Sequence, residues 1–264
     1  MMKRVVWILV CSFFLQTCKT VPITGRKQVA LIPNSQMNAL GVDNYQQVLS
    51  EAKVDRTSED AKLVEYVGSK IARAVERYLK THGQSANVEG FAWDFKLIVD
   101  DVVNAWCMPG GKVAFYTGIL PVCKDEAGIA VVMGHEIAHA IAKHGNERMT
   151  QGLAQQLGGV ALAVALKDKP EETQNLFMQA YGLGTTVGAI LPFSRLHESE
   201  ADEMGLIFMA MAGYDPREAP RFWQRMAAQS GPQPPTFLST HPSNEQRIAK
   251  LNELMPQALK YYNQ

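Results

Sequence analysis

Apolar residues recur along residues 126–144 at the spacing of a helix that is covered on most of its sides. They are Ile129, Val131, Val132, Met133, Ile137, Ala138 and Ile141, and no proline interrupts them. A surface helix keeps one polar face, whereas a helix that is apolar nearly all round lies in a core. Asp125 precedes this segment and can act as its N-cap, because its side chain can accept a hydrogen bond from a free backbone N–H of the first turn. The pattern therefore predicts a buried helix that begins after Asp125 and ends at Gly145.

Apolar spacing predicts further helices along the chain. In residues 58–82 one apolar face repeats every fourth position, through Leu63, Val67, Ile71, Val75 and Leu79. Other helices are predicted over residues 34–53, 146–166, 173–190 and 194–213, the last of these capped by Ser194, and a final helix opens at a capping pattern made by Ser243 and Gln246. Glycines loosen residues 173–190, which fits either a mobile cover of a cleft or an ordinary packed helix.

A small β-sheet is predicted before the buried helix. Residues 93–99 alternate between apolar and polar side chains, which is typical of a strand. Residues 104–108 and 112–117 flank the sequence Pro-Gly-Gly, which indicates a hairpin. Many helices with one small sheet define an α+β fold class.

Two histidines and a glutamate lie inside the predicted buried helix, in the sequence HEIAH. His135 and His139 are four residues apart, so both imidazoles share one face and can reach one ion at about 2.0–2.1 Å. Glu136 is rotated by roughly 100° from His135, within reach of a water on that ion. This arrangement predicts a zinc-activated water with Glu136 as its general base. Two histidines hydrogen-bonded in a helical core are the alternative.

A second acidic segment follows in the helix predicted at residues 194–213. Glu198 and Asp202 are four residues apart and share one face with two small residues that allow close packing. A catalytic zinc with two histidines needs a third protein ligand and an open fourth position, and Glu198 is the candidate. Asp202 would then accept a hydrogen bond from a ligand imidazole. Glu200 is expected to face solvent. A charged, solvated helix face is the alternative for this stretch.

Composition narrows the classes of function. The chain has 264 residues, of which 26 are basic and 26 acidic, so its formal net charge is zero. The basic footprint of a nucleic-acid-binding protein is missing, and we expect no nucleic acid as a partner.

Of the four cysteines, Cys107 and Cys123 belong to the folded part. A disulfide between them and two buried thiols both fit, and we favour the thiols.

The N-terminus has the pattern of an export signal. A basic pair precedes an apolar run from Val5 to Leu15, which is too short to span a bilayer as a helix. This run followed by Cys18 resembles a bacterial lipobox, so we predict a signal peptide over residues 1–17 and lipidation of Cys18; plain secretion and an uncleaved anchor are the alternatives. Residues 18–33 would form an extended, lipid-anchored tether, and residues 34–264 a single domain.

Several motifs in a fixed order resemble one family of proteins. The chain carries PGGKVAFYTGIL, HEIAH, SRLHESEADEMG, AGYDP and THPSNEQR. Together they resemble the zinc metallopeptidases that include HtpX, the CAAX prenyl protease and BepA, over about residues 24–250. The resemblance implies a mainly helical, zincin-like domain with Glu136 as the base. The zinc ligands that it implies are His135, His139 and Glu198, with Asp202 behind them.

The resemblance adds two residues and a substrate-binding edge to the candidate site. His241 and Arg247 match THPSNEQR, which implies that they lie near the metal and help to hold substrate or the tetrahedral intermediate. His241 could instead occupy the open fourth position and keep the enzyme latent. We also expect the edge strand to border the zinc cleft, with Asn104 and Ala105 pairing with the substrate backbone. A purely structural hairpin is the alternative.

These observations predict a zinc-dependent endopeptidase with one Zn²⁺ per chain that acts on unfolded or misfolded cell-envelope polypeptides. The expected location is the bacterial cell envelope, facing the periplasm, with a lipid anchor at Cys18 in the outer membrane rather than the inner one. We expect neither transmembrane spans nor tetratricopeptide repeats. The alternative is a non-catalytic, zinc-containing chaperone or assembly factor for outer-membrane proteins. The presence of Glu136 argues against it, because a structural zinc site needs no base.

Overall fold

The computed structural model describes residues 18–167, 169, 171–185, 191–229, 235–242 and 245–262. The predicted signal peptide, residues 1–17, and Ser243 of the predicted capping pattern lie outside these residues. The strands are β1 Cys18–Thr20, β2 Lys27–Val29, β3 Val54–Asp55, β4 Asp94–Ile98, β5 Ala105–Met108 and β6 Lys112–Tyr116. The helices are α1 Asn34–Glu51, α2 Glu59–Thr81, α3 Leu120–Cys123, α4 Glu126–Ile141, α5 His144–Leu166, α6 Glu171–Thr185, α7 Leu191–Met211, α8 Glu218–Ala228, α9 Thr236–Thr240 and α10 Glu245–Tyr262.

The predicted α+β class is confirmed, and local capping explains where two of the helices begin. At the start of α4, the Asp125 carboxylate accepts a hydrogen bond from the Gly128 N–H at 3.0 Å. The Ser58 hydroxyl accepts the Ala61 N–H at 3.0 Å at the start of α2. The predicted cap at Ser194 is wrong, since α7 begins at Leu191 and Ser194 lies inside it.

The four-stranded sheet places β5 at its edge. The strand order is β3-β4-β6-β5, with β4 parallel to β6 and β5 antiparallel to β6. The β5–β6 turn passes through Gly110 and Gly111, whose φ angles of 85° and 77° suit glycine. A cavity between β5 and the end of α4 is lined by Cys107 and His139. The edge strand therefore borders the histidine-bearing helix, as predicted.

The centre of the molecule is the crossing of α4 and α7. Every residue of α4 from Gly128 to Ile141 is buried. A Cβ atom added at Gly134 would lie 2.8 Å from the Gly205 carbonyl oxygen, and one added at Gly205 would lie 2.8 Å from the His135 nitrogen. The two helix backbones thus touch next to His135, and this contact brings the acidic residues of α7 to the metal-binding face of α4.

Residues 20–32 form a strap across the N-terminus of α5. The predicted extended tether instead begins with the β1–β2 hairpin, and Val21, Gln28 and Ala30 are buried in it or next to it. Beyond the hairpin, the Leu31 N–H donates to the Thr150 hydroxyl at 3.1 Å. The segment is therefore part of the folded body, and we call it the N-terminal strap.

The hairpin of α5 and α6 leaves apolar side chains exposed. The Tyr181 hydroxyl of α6 donates to the Gln155 carbonyl of α5 at 2.9 Å, which supports the packed-helix interpretation of this segment. The predicted helix continued over residues 186–190, which lie outside the described residues.

The outward side of α5 carries Leu157 at 68% exposure and Val164 at 62%. Among the described helices, none is both long and apolar enough to span a bilayer.

Candidate metal centre

Two imidazoles of α4 and one carboxylate of α7 converge on a common point. The Nε2 atoms of His135 and His139 are 3.1 Å apart. Glu198 Oε2 lies 3.3 Å from His135 Nε2, and Glu198 Oε1 lies 3.3 Å from His139 Nε2. The structure therefore brings together all three residues expected to hold zinc.

His241 supplies a fourth donor from the loop after α9. Its Nδ1 atom lies 3.1 Å from His135 Nε2 and 2.9 Å from Glu198 Oε2. The donor atoms of the four residues all fall within 4.8 Å of one another. This is the placement expected if His241 closes the fourth position.

The spacing of these donors fits a tetrahedral zinc ion. Ligand atoms at 2.0–2.1 Å from a tetrahedral zinc lie about 3.3–3.4 Å from each other. The donor-to-donor distances given above run from 2.9 to 3.3 Å, a few tenths of an ångström short of that value. Three imidazoles and one carboxylate are also a donor set that suits zinc.

Electrostatics favour cation binding at His139 and Glu198 but oppose it at His135. Burial lowers the pKa of His139 well below its usual value, so this imidazole is neutral. Burial opposes ionisation of Glu198, but hydrogen bonds from three imidazoles hold the pKa of its carboxyl far below its usual range. Burial also lowers the pKa of His135, yet hydrogen bonds to Asp202 and Glu198 outweigh it and raise that pKa to about 9. A bound cation must displace the extra proton of His135.

Glu136 lies beside the donors without being one of them. Its side chain is buried, at 3% exposure, and burial raises the pKa of its carboxyl. Its Oε1 atom has no hydrogen-bond partner among the described residues, and His241 Nε2 lies 3.4 Å away. A buried carboxylate oxygen without a partner is costly unless something polar completes it. The site thus fits a metal ion with a water or substrate atom beside Glu136.

Asp202 fixes the orientation of His135. Its Oδ1 atom lies 3.0 Å from His135 Nδ1, so Nδ1 carries the hydrogen and Nε2 is left for the metal. Arg247 donates to the same carboxylate oxygen at 2.6 Å, and its guanidinium carbon lies 3.3 Å from the centre of the Trp223 ring. Asp202 is therefore held rigidly behind the ligand.

Arg247 has contacts that differ from the role implied by the resemblance. It is 8% exposed and donates to the carbonyl oxygens of His241 and Pro242 at 3.4 and 3.2 Å. It also lies 3.5 Å from Glu198 Oε2. These contacts hold the loop that carries His241. They favour a positioning role over direct contact with substrate.

Sequence reasoning missed a second buried set of residues behind His139. His144 and His197, which match none of the motifs in the sequence, are both fully buried. His139 Nδ1 lies 2.8 Å from His144 Nδ1, and His144 Nε2 lies 3.0 Å from Glu200 Oε2. Glu200, expected in solvent, is 4% exposed because the N-terminal strap covers it. The one signal in the sequence is that Glu200 has no Lys or Arg three or four residues away on its helix.

The edge strand offers backbone groups to an extended chain. The Asn104 carbonyl accepts the Tyr116 N–H at 3.1 Å, so Asn104 is committed to β6. Because hydrogen bonding alternates along an antiparallel pair, the free backbone groups of this edge belong to Ala105 and Cys107. This geometry favours Ala105 over Asn104 for backbone pairing.

Cys107 and Cys123 are free thiols.

Two cavities reach the donors. One of about 220 Å³ lies between β5, α1 and the end of α4 and is lined by Met37, Phe91, Met108 and His139. The other, of about 680 Å³, lies against α7 and α10 and is lined by Glu198, Asp202 and Arg247. The metal centre is therefore accessible to a substrate although its donors are mostly buried.

A buried HExxH helix with a glutamate from a second helix defines the class of the gluzincin zinc peptidases. Residues 68–255 match peptidase family M48, and the chain belongs to this family. It is 34% identical over 266 residues to the mitochondrial metalloendopeptidase OMA1 of Schizosaccharomyces pombe, covering 97% of this chain and 74% of the relative. It is 29% identical to human OMA1, covering 96% of this chain and 49% of the relative. It is 26% identical to the β-barrel assembly-enhancing protease of Escherichia coli, covering 95% of this chain and 51% of the relative.

These similarities confirm the predicted family, the zinc cofactor and the class of zinc metalloendopeptidase. They contradict the predicted bacterial cell-envelope location. Mitochondrial enzymes from yeasts, a plant and vertebrates match 74–97% of the chain at 27–34% identity. The prediction of an envelope rested on the lipobox-like pattern and on the resemblance to a family that includes BepA. Lipidation of Cys18 stays a prediction, because the described residues include only its backbone in β1.

Proposed function

We propose that this chain is an endopeptidase that cuts internal peptide bonds in unfolded or misfolded polypeptides. The observation that carries the proposal is the tetrahedral spacing of the donors beside Glu136, whose Oε1 atom has no partner among the described residues. The open backbone groups of β5 support an extended substrate, because only an extended chain can add a strand to a sheet edge. Folded proteins rarely offer such a segment, which points to unfolded ones.

The residues of the site divide the chemistry between them. His135, His139 and Glu198 would hold the zinc ion, which would supply the Lewis acid for lowering the pKa of water and polarising the scissile carbonyl. Glu136 accepts the proton of the attacking water and later delivers it to the amine leaving group. Burial raises the pKa of the Glu136 carboxyl, which brings it closer to the neutral pH at which it must take up and release a proton.

His241 must move for substrate to enter. Its Nδ1 atom fills the fourth position of the donor set, 2.9 Å from Glu198 Oε2. A closed set of four protein donors is typical of a structural site, whereas catalysis needs an open position. The position of His241 therefore supports the proposal of a latent state.

A non-catalytic zinc protein is the second candidate, and the closed fourth position is the observation that favours it. The Glu136→Gln variant separates the two candidates. We expect the wild-type chain to degrade unfolded casein and to stop when a chelator removes the metal. The variant should bind one zinc per chain yet lose at least about 100-fold in kcat, since general acid–base catalysis contributes 10²–10⁴-fold.

The matched control is Glu253→Gln, which removes an exposed carboxylate of α10. It should retain full activity. Equal casein cleavage by the Glu136→Gln variant and the wild type would refute the proposed role of Glu136. Absence of cleavage by the wild type with zinc bound would favour the non-catalytic candidate.

A further inference from the structure

A chain of buried hydrogen bonds leads from the zinc ligand His139 to the N-terminal strap. His139 Nδ1 lies 2.8 Å from His144 Nδ1, and His144 Nε2 lies 3.0 Å from Glu200 Oε2. All three side chains are buried, at 7%, 0% and 4% exposure. These buried hydrogen bonds therefore exclude water from the side of His139 that faces away from the metal site.

Once His139 binds a metal, the direction of each hydrogen bond from His139 to Glu200 is fixed. Its Nε2 atom faces the other donors, so Nδ1 must carry the hydrogen and donate it. His144 then accepts at Nδ1, which leaves its hydrogen on Nε2, where Glu200 accepts it. Glu200 thus orients the His139 ring through one intervening imidazole, whereas Asp202 orients the His135 ring directly.

The strap holds Glu200 in place. Arg26 donates from Nε to Glu200 Oε2 at 2.8 Å, and the Thr24 hydroxyl donates to Glu200 Oε1 at 2.5 Å. Arg26 also binds both carboxylate oxygens of Glu147 at 2.9 and 2.7 Å. A planar guanidinium can bind Glu147 through two parallel N–H groups and Glu200 through a third, whereas an ammonium lacks this fork.

Glu147 connects the strap to the remaining histidine of the cluster. Its Oε2 atom lies 2.9 Å from His197 Nε2, and the His197 ring stacks on His144 with centroids 4.2 Å apart. Arg26 therefore places one positive charge between two buried carboxylates, of which Glu200 pairs with His144 and Glu147 pairs with the His197 ring stacked on His144. Without it, these carboxylates would lie close together with no cation between them.

The turn that presents Arg26 is strained. Ile23 has a φ of 68°, a conformation that β-branched residues rarely adopt. Two backbone hydrogen bonds close the turn, from the Val21 N–H to the Arg26 carbonyl at 2.9 Å and from the Gly25 N–H to the Val21 carbonyl at 3.1 Å. Strain of this kind persists only where the surroundings compensate for it, and it clusters at functional sites.

We propose that the N-terminal strap is part of the zinc site and that Arg26 is a positioning residue for His139, acting through Glu200 and His144. The inference rests on the proposed zinc site but not on the proposed substrate. Zinc affinity and site geometry therefore test it, whether or not casein is cleaved.

The experiment measures zinc dissociation constants of full-length variants by competition with a chromogenic chelator. We expect Arg26→Ala to weaken zinc binding 10- to 100-fold, as is typical when a group behind a metal ligand is lost. Arg26→Lys should recover only part of this loss, because a lysine keeps the charge but lacks the planar fork that binds Glu147 through two N–H groups. Thr24→Val, which removes one hydrogen bond from Glu200, should weaken binding by a few-fold.

Arg225→Ala is the matched control. Arg225 is as buried as Arg26 and pairs with Glu218 at 2.7 Å, but it binds the carbonyls of Val122 and Cys123 instead of a group behind a ligand. This variant should lose thermal stability and keep its zinc affinity within two-fold. Cobalt replacing zinc gives a second readout, and the visible absorption spectrum should change in Arg26→Ala and not in Arg225→Ala.

Equal zinc affinities and equal cobalt spectra for the Arg26→Ala and Arg225→Ala variants would overturn the inference. If Arg26→Ala does not fold, Thr24→Val decides. An unchanged zinc dissociation constant in Thr24→Val would then count against a role of the strap, and a few-fold increase would support it.

Discussion

Each of the two zinc-binding histidines is oriented by a different arrangement. Asp202 lies 3.0 Å from Nδ1 of His135, whereas His139 reaches Glu200 only through His144. Orientation of both rings leaves the two Nε2 atoms directed at the same point. Glu136 Oε1 and His241 Nε2 lie beside that point, 3.4 Å apart.

Replacing His241 by alanine tests whether the fourth donor holds the enzyme latent. We expect His241→Ala to raise kcat/KM for unfolded casein, by about tenfold if closing the site costs about 1.4 kcal/mol. His82→Ala, which removes an exposed histidine at the end of α2, is the control and should change nothing. A fall of 100-fold or more would show instead that His241 serves the transition state as an oxyanion donor.

Short-range spacing explains which site residues the sequence could predict. His135, His139 and Glu136 lie within one turn of one helix, and Glu198 and Asp202 within one turn of another, so helical geometry alone groups them. His144 and Glu200 meet only because the N-terminal strap closes over α5 and α7. No local pattern encodes that contact, which is why Glu200 was expected in solvent.

The crossing of α4 and α7 is the element that sets the geometry of the site. Two glycines meet there, and the Gly205 backbone lies against the His135 backbone. Periodicity predicted both helices and came within a few residues of their ends. It could not settle whether Gly134 faces another backbone or a substrate, because that depends on the angle at which the helices cross.

A methyl group at this crossing should damage both stability and the site. We expect Gly205→Ala to lower the free energy of unfolding by about 1–3 kcal/mol, since the new Cβ would press on the His135 nitrogen and overpacked cores lose stability of this size. Zinc affinity should fall as well, because α7 carries Glu198. Urea unfolding and chelator competition measure the two effects.

Gly152→Ala on α5 is the control for helix propensity. A Cβ at Gly152 meets nothing within 4 Å, so the substitution should leave zinc affinity unchanged and add up to about 1 kcal/mol of stability. A Gly205→Ala variant as stable and as tightly metal-bound as the wild type would contradict the close crossing.

At the scale of the whole molecule, four separate parts of the chain meet at one point. They are α4, α7, the loop after α9 and, behind His139, the N-terminal strap. The edge strand β5 and two cavities border this point, so an extended chain can reach it. The fold class and the zinc chemistry followed from the sequence. The sequence offered the closed fourth position only as an alternative and predicted an extended tether in place of the strap, because both features depend on contacts between distant parts of the chain.

X-ray absorption at the zinc edge measures which atoms bind the metal. We expect one zinc per chain, bound by four nitrogen or oxygen atoms at about 2.0–2.1 Å, with the scattering pattern of imidazoles. In Glu198→Ala the zinc should be lost or its shell rearranged. A shell containing sulfur at about 2.3 Å, or an unaltered shell in Glu198→Ala, would show that the metal does not lie between His135, His139 and Glu198.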